Sequence, residues 1–148
     1  MTDQLFAVSG RIAVVTGAMG QLGAELAVAL ATRGARVACL DSAVASVNPE
    51  LLALVASGAV QAIDCDVTVR DSVERALAAV EQEHGAPHIL VNAAAVDSPP
   101  DAPAAEVGPF EDVPTEVIGR VIEVNVGGVI TCCQVIGGAM ARAGRGSI

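Results

Sequence analysis

The chain has 148 residues, of which 53% are hydrophobic, and its 8 basic and 17 acidic side chains give a formal net charge of −9. This length suits one domain, and the apolar content excludes intrinsic disorder. Proteins that bind a phosphate backbone carry clustered Lys and Arg, so the acidic balance argues against nucleic acid as a partner. The chain also contains no Trp or Tyr and only 2 Phe, which leaves few rings for stacking on bases.

The cysteines indicate neither a metal site nor a disulfide framework. Their spacing matches no zinc or redox motif, and free thiols within apolar runs usually act as small hydrophobes. We therefore expect no metal and four reduced, structural cysteines, Cys39, Cys65, Cys132 and Cys133. Residues 1–11 have neither a basic segment nor a long apolar stretch, so the sequence predicts no secretory signal and a cytoplasmic location.

One segment is apolar enough to resemble a membrane span. No residue from Val124 to Ala141 is charged, and this length reaches the lower limit of about 17–25 residues for a spanning helix. Polar residues and two Gly-Gly pairs interrupt the segment. We therefore expect a buried helix of a soluble protein, with no membrane as a partner.

Four β-branched runs alternate with four helical patterns along the chain. This alternation is typical of βαβ units around a parallel sheet that is buried on both faces. The predicted strands are Arg11–Thr16, Arg36–Leu40, Val60–Cys65 and His88–Asn92.

The first two helices have the clearest patterns. Helical spacing predicts one apolar face on the first helix, formed by Leu22, Leu26, Ala29 and Leu30. The helix is expected to end near Arg33-Gly34. In the second helix, Asn48 is the predicted N-cap, Pro49 takes the first helical position and Gly58 lies just beyond the end.

Two more helices follow, separated by a long loop. Thr68 and Asp71 predict the start of the third helix, and the fourth is expected to run roughly from Thr115 to Ala143. A loop rich in Pro and acidic residues connects Ala95 to Pro114. Loops of this length in a compact domain are usually functional or mobile, and this one leaves the end of a strand where open α/β sheets bind ligands.

The strongest functional signal is the segment Thr16-Gly17-Ala18-Met19-Gly20-Gln21-Leu22-Gly23, where the first strand turns into the first helix. Glycines there permit a tight turn, a close approach of backbone N–H groups to a pyrophosphate, and packing of the helix on the strand. A plain βα turn would also explain the glycines alone. Asp41 favours dinucleotide binding, because a carboxylate at the end of the second strand can accept the hydroxyls of a ribose.

With three further landmarks in the same order, the chain resembles the short-chain dehydrogenase/reductase family over its whole length. The landmarks are Asp64-Cys65-Asp66-Val67 after the third strand, Leu90-Val91-Asn92-Ala93-Ala94-Ala95 at the end of the fourth, and Asn125 in the fourth helix. The resemblance implies a Rossmann-type doubly wound parallel sheet with the strand order 3-2-1-4, truncated after the fourth helix. Residues 1–148 would then be one NAD(P)-binding domain, incomplete at its C-terminal end.

The resemblance also implies roles for individual residues. Gly17, Met19, Gly20, Gln21, Leu22 and Gly23 belong to the cofactor-binding turn. Asp66 would bond the adenine amino group beside the backbone of Val67, and Asn92, Ala93 and Ala94 would line the cofactor. Asn125 would hold a water of the catalytic proton relay. From the residues alone, Asp66 also suits a helix start, and Asn125 suits a buried amide with satisfied hydrogen bonds.

We expect the cofactor to be NAD, with NADP less favoured. Asp41 would repel a 2′-phosphate, and neither Ser42 nor Ala43 offers a basic side chain for it. The expected substrate is a small carbonyl or alcohol. The family's catalytic serine and its Tyr-x-x-x-Lys pair match nothing in the chain, since Ser147 precedes the fifth strand, so we expect the chain alone to be inactive.

Two other readings of the sequence remain open. Gln21 stands where the shorter dehydrogenases have glycine, and the G-x-x-G-x-x-G spacing through Gly20 is common in the branch that modifies sugar nucleotides. An NAD-containing epimerase or dehydratase is therefore an alternative. The other is an inactive nucleotide-binding or self-associating fragment. A Val/Ile-rich face on the fourth helix predicts a homo-oligomer, and His84 and His88 are expected to have structural roles away from the ligand site.

Overall fold

The computed structural model describes residues 7–43, 48–97 and 108–148. Most of the Pro-rich loop, at residues 98–107, lies outside this part of the chain, so the expectation for that loop stays a prediction. Strands and helices alternate as β1 (Ile12–Thr16), α1 (Gln21–Thr32), β2 (Arg36–Asp41), α2 (Pro49–Ala56), β3 (Val60–Asp64), α3 (Arg70–Glu83) and β4 (Ile89–Asn92). A 3-10 turn at Phe110–Asp112 then precedes α4 (Thr115–Ile122), a π-helical segment (Glu123–Gly128) and α5 (Val129–Arg142).

The four strands form one parallel sheet in the order β3-β2-β1-β4, which confirms the predicted fold class and strand order. Val14 in the middle of β1 pairs with Ala38 on one side and Leu90 on the other. All of β1 is buried, whereas Ala62 and Asp64 on β3 are exposed. The expectation of burial on both faces is therefore wrong for β3, because this strand forms the edge of the sheet.

Side chains from the two faces of the sheet enter separate hydrophobic cores. Val14 and Leu40 pack with residues of α3 and α5, including Val73 and Ile136. Val15, Val37 and Cys39 pack on the opposite face with α1 and α2. Successive side chains of a strand point to opposite faces, so covering both faces with helices buries the central strands completely.

The face that α1 buries differs from the predicted one. Leu22 and Leu26 are 75% and 43% exposed, and the buried residues of the helix are Gly23, Ala24, Ala27 and Val28. A Cβ atom at Gly23 would overlap the carbonyl oxygen of Gly17. The helix thus lies so close to the turn after β1 that only small side chains fit between them, and the leucines are turned outward.

The predicted caps are confirmed for α2 and wrong for α3. The Asn48 side chain accepts a hydrogen bond from the Leu51 N–H group at 3.0 Å, and Gly58 follows the helix with φ +74°. Helix α3 begins at Arg70 with Val69 as N-cap and no side-chain cap. Thr68 lies one residue before the N-cap position, and its hydroxyl donates to Asp66 Oδ1 at 2.7 Å.

The predicted fourth helix is one helical stretch with a π-helical segment inside it. The stretch Thr115–Arg142 is long and apolar enough to cross a membrane, and 33% of its most apolar window is buried. Its inner face on α5 packs into the core through Cys132, Val135, Ile136, Ala139 and Met140. Ile122, Val126 and Ile130 stay 55%, 51% and 52% exposed, so the prediction of a buried helix holds for Gly128 and the inner face of α5 but not for the outer face of the stretch.

Candidate functional site

A cleft of about 860 Å³ opens at the carboxyl edge of the sheet. Its size lies in the range of about 300–1,000 Å³ that is usual for small-molecule and cofactor sites. Segments that are far apart in sequence line it, namely Gly17, residues 19–23, 41–43, 65–68 and 93–96, and Arg120, Glu123 and Val124. The structure thus brings every residue predicted to bind the cofactor into one cleft lining, with the exception of Asn92.

The glycine turn forms the floor of the cleft. Gly17 has φ +62°, and a Cβ atom there would lie 2.6 Å from Ala94 Cα and 2.7 Å from the Ala93 carbonyl oxygen. Glycine is therefore required for the turn and for its contact with the segment after β4. Helix α1 then starts at Gln21, and no described side chain caps its N-terminus. Its first-turn N–H groups remain available to an anion at the positive end of the helix dipole.

The carboxylate of Asp41, at the end of β2, accepts two backbone hydrogen bonds and can accept more. Its Oδ2 accepts from the Met19 N–H group at 2.8 Å, and its Oδ1 accepts from the Ala43 N–H group at 2.9 Å. An ionised carboxylate offers about four lone-pair sites, so two bonds leave both oxygens able to accept again. The carboxylate is therefore held in the cleft and can still receive ribose hydroxyls.

Asp66, at the end of β3, also stabilises a local turn. Its Oδ1 accepts from the Thr68 N–H group at 2.9 Å and from the Thr68 hydroxyl, while its own N–H donates to Ser72 Oγ at 3.1 Å. Its Oδ2 makes no hydrogen bond to the described residues, and Asp66 is one of the residues that line the cleft. Behind it, Val67 packs so closely on the π-helical segment that a Cβ atom at Gly128 would lie 2.6 Å from Val67 Cγ2.

The segment after β4 is fixed from two directions. Thr16 Oγ1 accepts from the Ala93 and Ala94 N–H groups, both at 3.2 Å, and Thr16 is only 1% exposed. From the other side, Asn125 accepts from the Val96 N–H group at 2.8 Å and donates to the Val96 carbonyl at 3.0 Å. The wall at residues 93–96 is thus clamped between β1 and the π-helical segment.

The structure places two predicted site residues beside the cleft rather than in its lining. Both polar atoms of the Asn125 side chain are engaged by Val96, as expected for a satisfied amide, and its role in a proton relay stays a prediction. Asn92 donates to Cys133 Sγ at 3.6 Å, and its Oδ1 is buried without a partner among the described residues. A direct contact of Asn92 with a cofactor likewise stays a prediction.

Sequence reasoning missed the wall that Arg120, Glu123 and Val124 contribute. Helical spacing puts these residues on one side of the helix, but nothing in the sequence shows that this side faces the cleft. Thr16 was part of the recognised glycine segment, yet the two amides for which it is the acceptor follow β4, 77 and 78 residues away. Only the assembled sheet reveals either feature.

Three of the thiols, those of Cys39, Cys65 and Cys132, are poorly suited to nucleophilic chemistry. All four cysteines are free, in agreement with the prediction. Burial raises the pKa of Cys39 and of Cys132 to about 12, and burial also raises the pKa of Cys65 in the cleft lining. These thiols stay protonated near neutral pH. Residues 7–43, 48–97 and 108–148 contain no group of three or more His, Cys, Asp or Glu residues arranged for a metal ion.

Comparison with known proteins places this cleft in a family. Residues 11–148 match the family model described as short chain dehydrogenase. The chain is 36% identical to D-threitol dehydrogenase of Mycolicibacterium smegmatis over 149 residues, which cover 97% of this chain and 52% of that protein. It is 28% identical to NAD-dependent glycerol dehydrogenase of Listeria innocua, over 99% of this chain and 54% of the relative.

Solved structures agree with this assignment. A crystal structure of actinorhodin polyketide ketoreductase with NADPH superposes with a TM-score of 0.78 at 27% identity, covering 92% of this chain and 50% of that one. The chain spans about half the length of these two curated relatives. The sheet order, the cleft and the match over residues 11–148 lead to one conclusion, that the chain belongs to the short-chain dehydrogenase family.

Proposed function

We propose that residues 1–148 form the NAD-binding domain of an oxidoreductase that transfers hydride between nicotinamide and a small alcohol or carbonyl compound. The observation that carries this proposal is the Asp41 carboxylate, held in the cleft by Met19 and Ala43 with acceptor capacity to spare. The free N–H groups at the start of α1 lie in the same cleft and suit a pyrophosphate. Together they fit the adenosine and pyrophosphate parts of a dinucleotide.

Each side of the cleft has a separate task in this proposal. Asp41 accepts the ribose hydroxyls, Asp66 offers its free Oδ2 to the adenine amino group, and residues 93–96 form the wall toward β4. When bound, the nicotinamide supplies the site that gains or loses hydride. The clamps on this wall by Thr16 and Asn125 keep its position fixed before the cofactor arrives.

Charge in the cleft favours NAD over NADP. A 2′-phosphate would approach Asp41, and residues 42–48 contain no basic side chain to neutralise it. The glycerol dehydrogenase is named as NAD-dependent, whereas the crystal structure of the polyketide ketoreductase contains NADPH. Both cofactors therefore occur among similar proteins. The proposed preference for NAD therefore depends on the carboxylate of Asp41 and not on similarity to these proteins.

Calorimetric titration of the purified chain with NAD and with NADP tests this preference. Asp41→Ala should weaken NAD binding about tenfold or more, since hydrogen bonds to a charged group contribute about 1.5–3 kcal/mol, and should narrow the gap to NADP. Asp71→Ala, at the exposed start of α3, is the matched control and should change neither affinity. Equal or tighter binding of NADP by the unaltered chain would refute the proposal.

The chain by itself is proposed to bind cofactor without catalysing hydride transfer. It contains no Tyr and no Lys, the residue types that the family uses to exchange the substrate proton and to lower the pKa of that tyrosine. For a protein that contains this segment together with the family's Tyr and Lys, we propose a polyol substrate, because two relatives are named for threitol and glycerol. NAD-dependent turnover by the 148-residue chain would overturn the proposal that it does not catalyse hydride transfer. Product analysis with polyols and simple ketones would test the proposed polyol substrate.

The spacing of Gly17, Gly20 and Gly23 supports a second candidate, an NAD-containing enzyme that epimerises or dehydrates a sugar nucleotide. In the structure Gly20 is the N-cap of α1, and its N–H donates to the Gly17 carbonyl at 3.2 Å. Assays with sugar nucleotides and with polyols, on a protein that contains this segment together with the family's Tyr and Lys, would separate the two candidates by product. A chain that binds no dinucleotide at all would favour a non-enzymatic, self-associating role.

We also propose that the chain self-associates in the cytoplasm. Ile122, Val126 and Ile130 recur every four residues and place a half-exposed apolar stripe along the outer face of the long helical stretch. A second copy could cover this stripe with its own. Sedimentation should therefore detect a dimer or larger species that Val126→Lys dissociates, while Leu52→Lys on the exposed side of α2 leaves it intact. A stable monomer at high concentration would contradict the proposal.

A further inference from the structure

An unusual hydrogen bond ties the amino edge of the sheet together. The backbone N–H of Ile12, the first residue of β1, donates to Nδ1 of the His88 side chain at 3.1 Å. The backbone N–H of His88 donates to the Ile12 carbonyl at 2.8 Å. A side chain thus accepts from the first N–H group of the central strand, which would otherwise need a backbone or water acceptor.

His88 also connects β1 to the segment that follows α5. The Ser147 N–H donates to the His88 carbonyl, and the Leu90 N–H donates to the Ser147 carbonyl, both at 3.0 Å. These bonds form a parallel bridge between Ile89 and Ser147. One residue therefore joins the start of β1, the start of β4 and the Ser147 bridge.

The imidazole accepts this bond only in its neutral form. When both ring nitrogens carry protons, both are donors, and Nδ1 then opposes the Ile12 N–H group instead of accepting from it. Ile12 is only 6% exposed, so water has little access to replace the lost acceptor. Protonation therefore replaces a hydrogen bond by a repulsive contact at the start of the central strand.

We propose that His88 is a proton-sensitive latch, which holds β1 to β4 and the Ser147 bridge when neutral and releases the start of β1 when protonated. The latch lies at the edge of the sheet opposite the cofactor cleft and does not depend on the proposed function. Strand β1 runs from Ile12 at the amino edge to the glycine turn at the carboxyl edge.

The charged groups near the latch favour the neutral form of His88. Burial is the largest cause that lowers the pKa of His88, followed by the positive charges of Arg145 after α5 and Arg11 before β1. An unfolded histidine keeps an ordinary pKa of about 6.5, so the unfolded chain binds more protons than the folded one below that pH. The contribution of the latch to stability is therefore complete above about pH 6.5 and is lost as the pH falls through the window below it.

Equilibrium urea unfolding of the purified chain at about pH 7.5 and about pH 5 tests the latch through this linkage. In the unaltered chain the His88 contribution should lower the folding equilibrium constant by up to about 30-fold between the two pH values. His88→Asn offers an amide oxygen that accepts from Ile12 at both pH values, and this variant should lose that part of the pH dependence. His84→Asn, the matched control at the end of α3, should keep it.

Carboxylates add their own pH dependence, but all three proteins share it, so the difference between them isolates His88. An identical loss of stability in His88→Asn and in the unaltered chain would overturn the proposal. Nuclear magnetic resonance of the unaltered chain gives a second test that needs no variant. The Ile12 amide proton should exchange faster once His88 is protonated, and a measured pKa of His88 at or above about 6.5 would equally overturn the latch.

Discussion

The two edges of the sheet use polar groups in opposite ways. At the carboxyl edge, Asp41 and Asp66 each bond a neighbouring turn and keep acceptor capacity directed at a cleft. At the amino edge, His88 bonds to both Ile12 and Ser147, and none of the three lines this cleft. The capacity to bind a ligand thus lies where the fold holds polar groups in place without using all of their hydrogen bonds.

The direction of the chain explains this difference. In a parallel sheet whose strands are followed by helices, the helices begin at the carboxyl edge, and their free N–H groups collect there. Helices end at the amino edge, where loops such as the one at Gly34 must return the chain to the next strand. Substitutions at the carboxyl edge should therefore change ligand binding, whereas substitutions at the amino edge should change only stability.

The largest effect is expected from Gly17→Val at the carboxyl edge. A branched side chain at φ +62° would meet the backbone of Ala93 and Ala94 at less than 3 Å. Left-handed strain and overpacking each cost about 1–3 kcal/mol, so the free energy of unfolding should fall by about 3 kcal/mol or more and NAD binding should be lost. Urea unfolding and calorimetry measure the two effects.

Gly58→Ala is the matched control for Gly17→Val. Gly58 has φ +74°, but no atom lies within 4 Å of the added Cβ. Only the backbone strain of about 1–2 kcal/mol should appear, with NAD binding unchanged. If Gly17→Val stayed folded and bound NAD normally, the glycine turn would not be the floor of the binding site.

An intermediate effect is expected from Asn125→Ala, which removes one clamp from the cleft wall. Losing both bonds to Val96 should lower the free energy of unfolding by about 1–3 kcal/mol and raise the Kd for NAD severalfold, because the wall becomes mobile. Asn125→Asp retains the acceptor for the Val96 N–H group. Its stability and its Kd for NAD should therefore lie between those of the unaltered chain and of Asn125→Ala. Unchanged NAD affinity in Asn125→Ala would show that the clamp does not shape the site.

The smallest effect is expected at the amino edge from Gly34→Ala. Gly34 has φ +85°, and the new Cβ would lie 3.0 Å from the Ser9 hydroxyl oxygen, at the end of a side chain that can rotate away. The free energy of unfolding should fall by about 1–2 kcal/mol, with no change in NAD affinity. A clear loss of NAD binding at unchanged folding would contradict the division of tasks between the two edges.

Sequence patterns predicted best where neighbours in the chain decide the structure. The bounds of the strands, the cap at Asn48 and the positive φ of Gly17 reflect conformational preferences of residues close together in sequence. The apolar face of α1 was predicted wrongly, since spacing favoured Leu22 and Leu26 whereas close packing on the turn selects Ala24 and Ala27. Hydrophobic spacing reports which side chains could be buried, not how much room the opposing element leaves.

The sequence alone determined the family, the strand order and the position of Asp41 at the end of β2. The position of Asp41 follows from local patterns, whereas the strand order was implied by the resemblance to the family, which rests on short motifs. Only the tertiary structure decided that Thr16 and Asn125 clamp the cleft wall and that His88 accepts from Ile12, 76 residues away. Such contacts depend on how separate elements pack, and no local pattern in a single sequence shows which distant residues will meet.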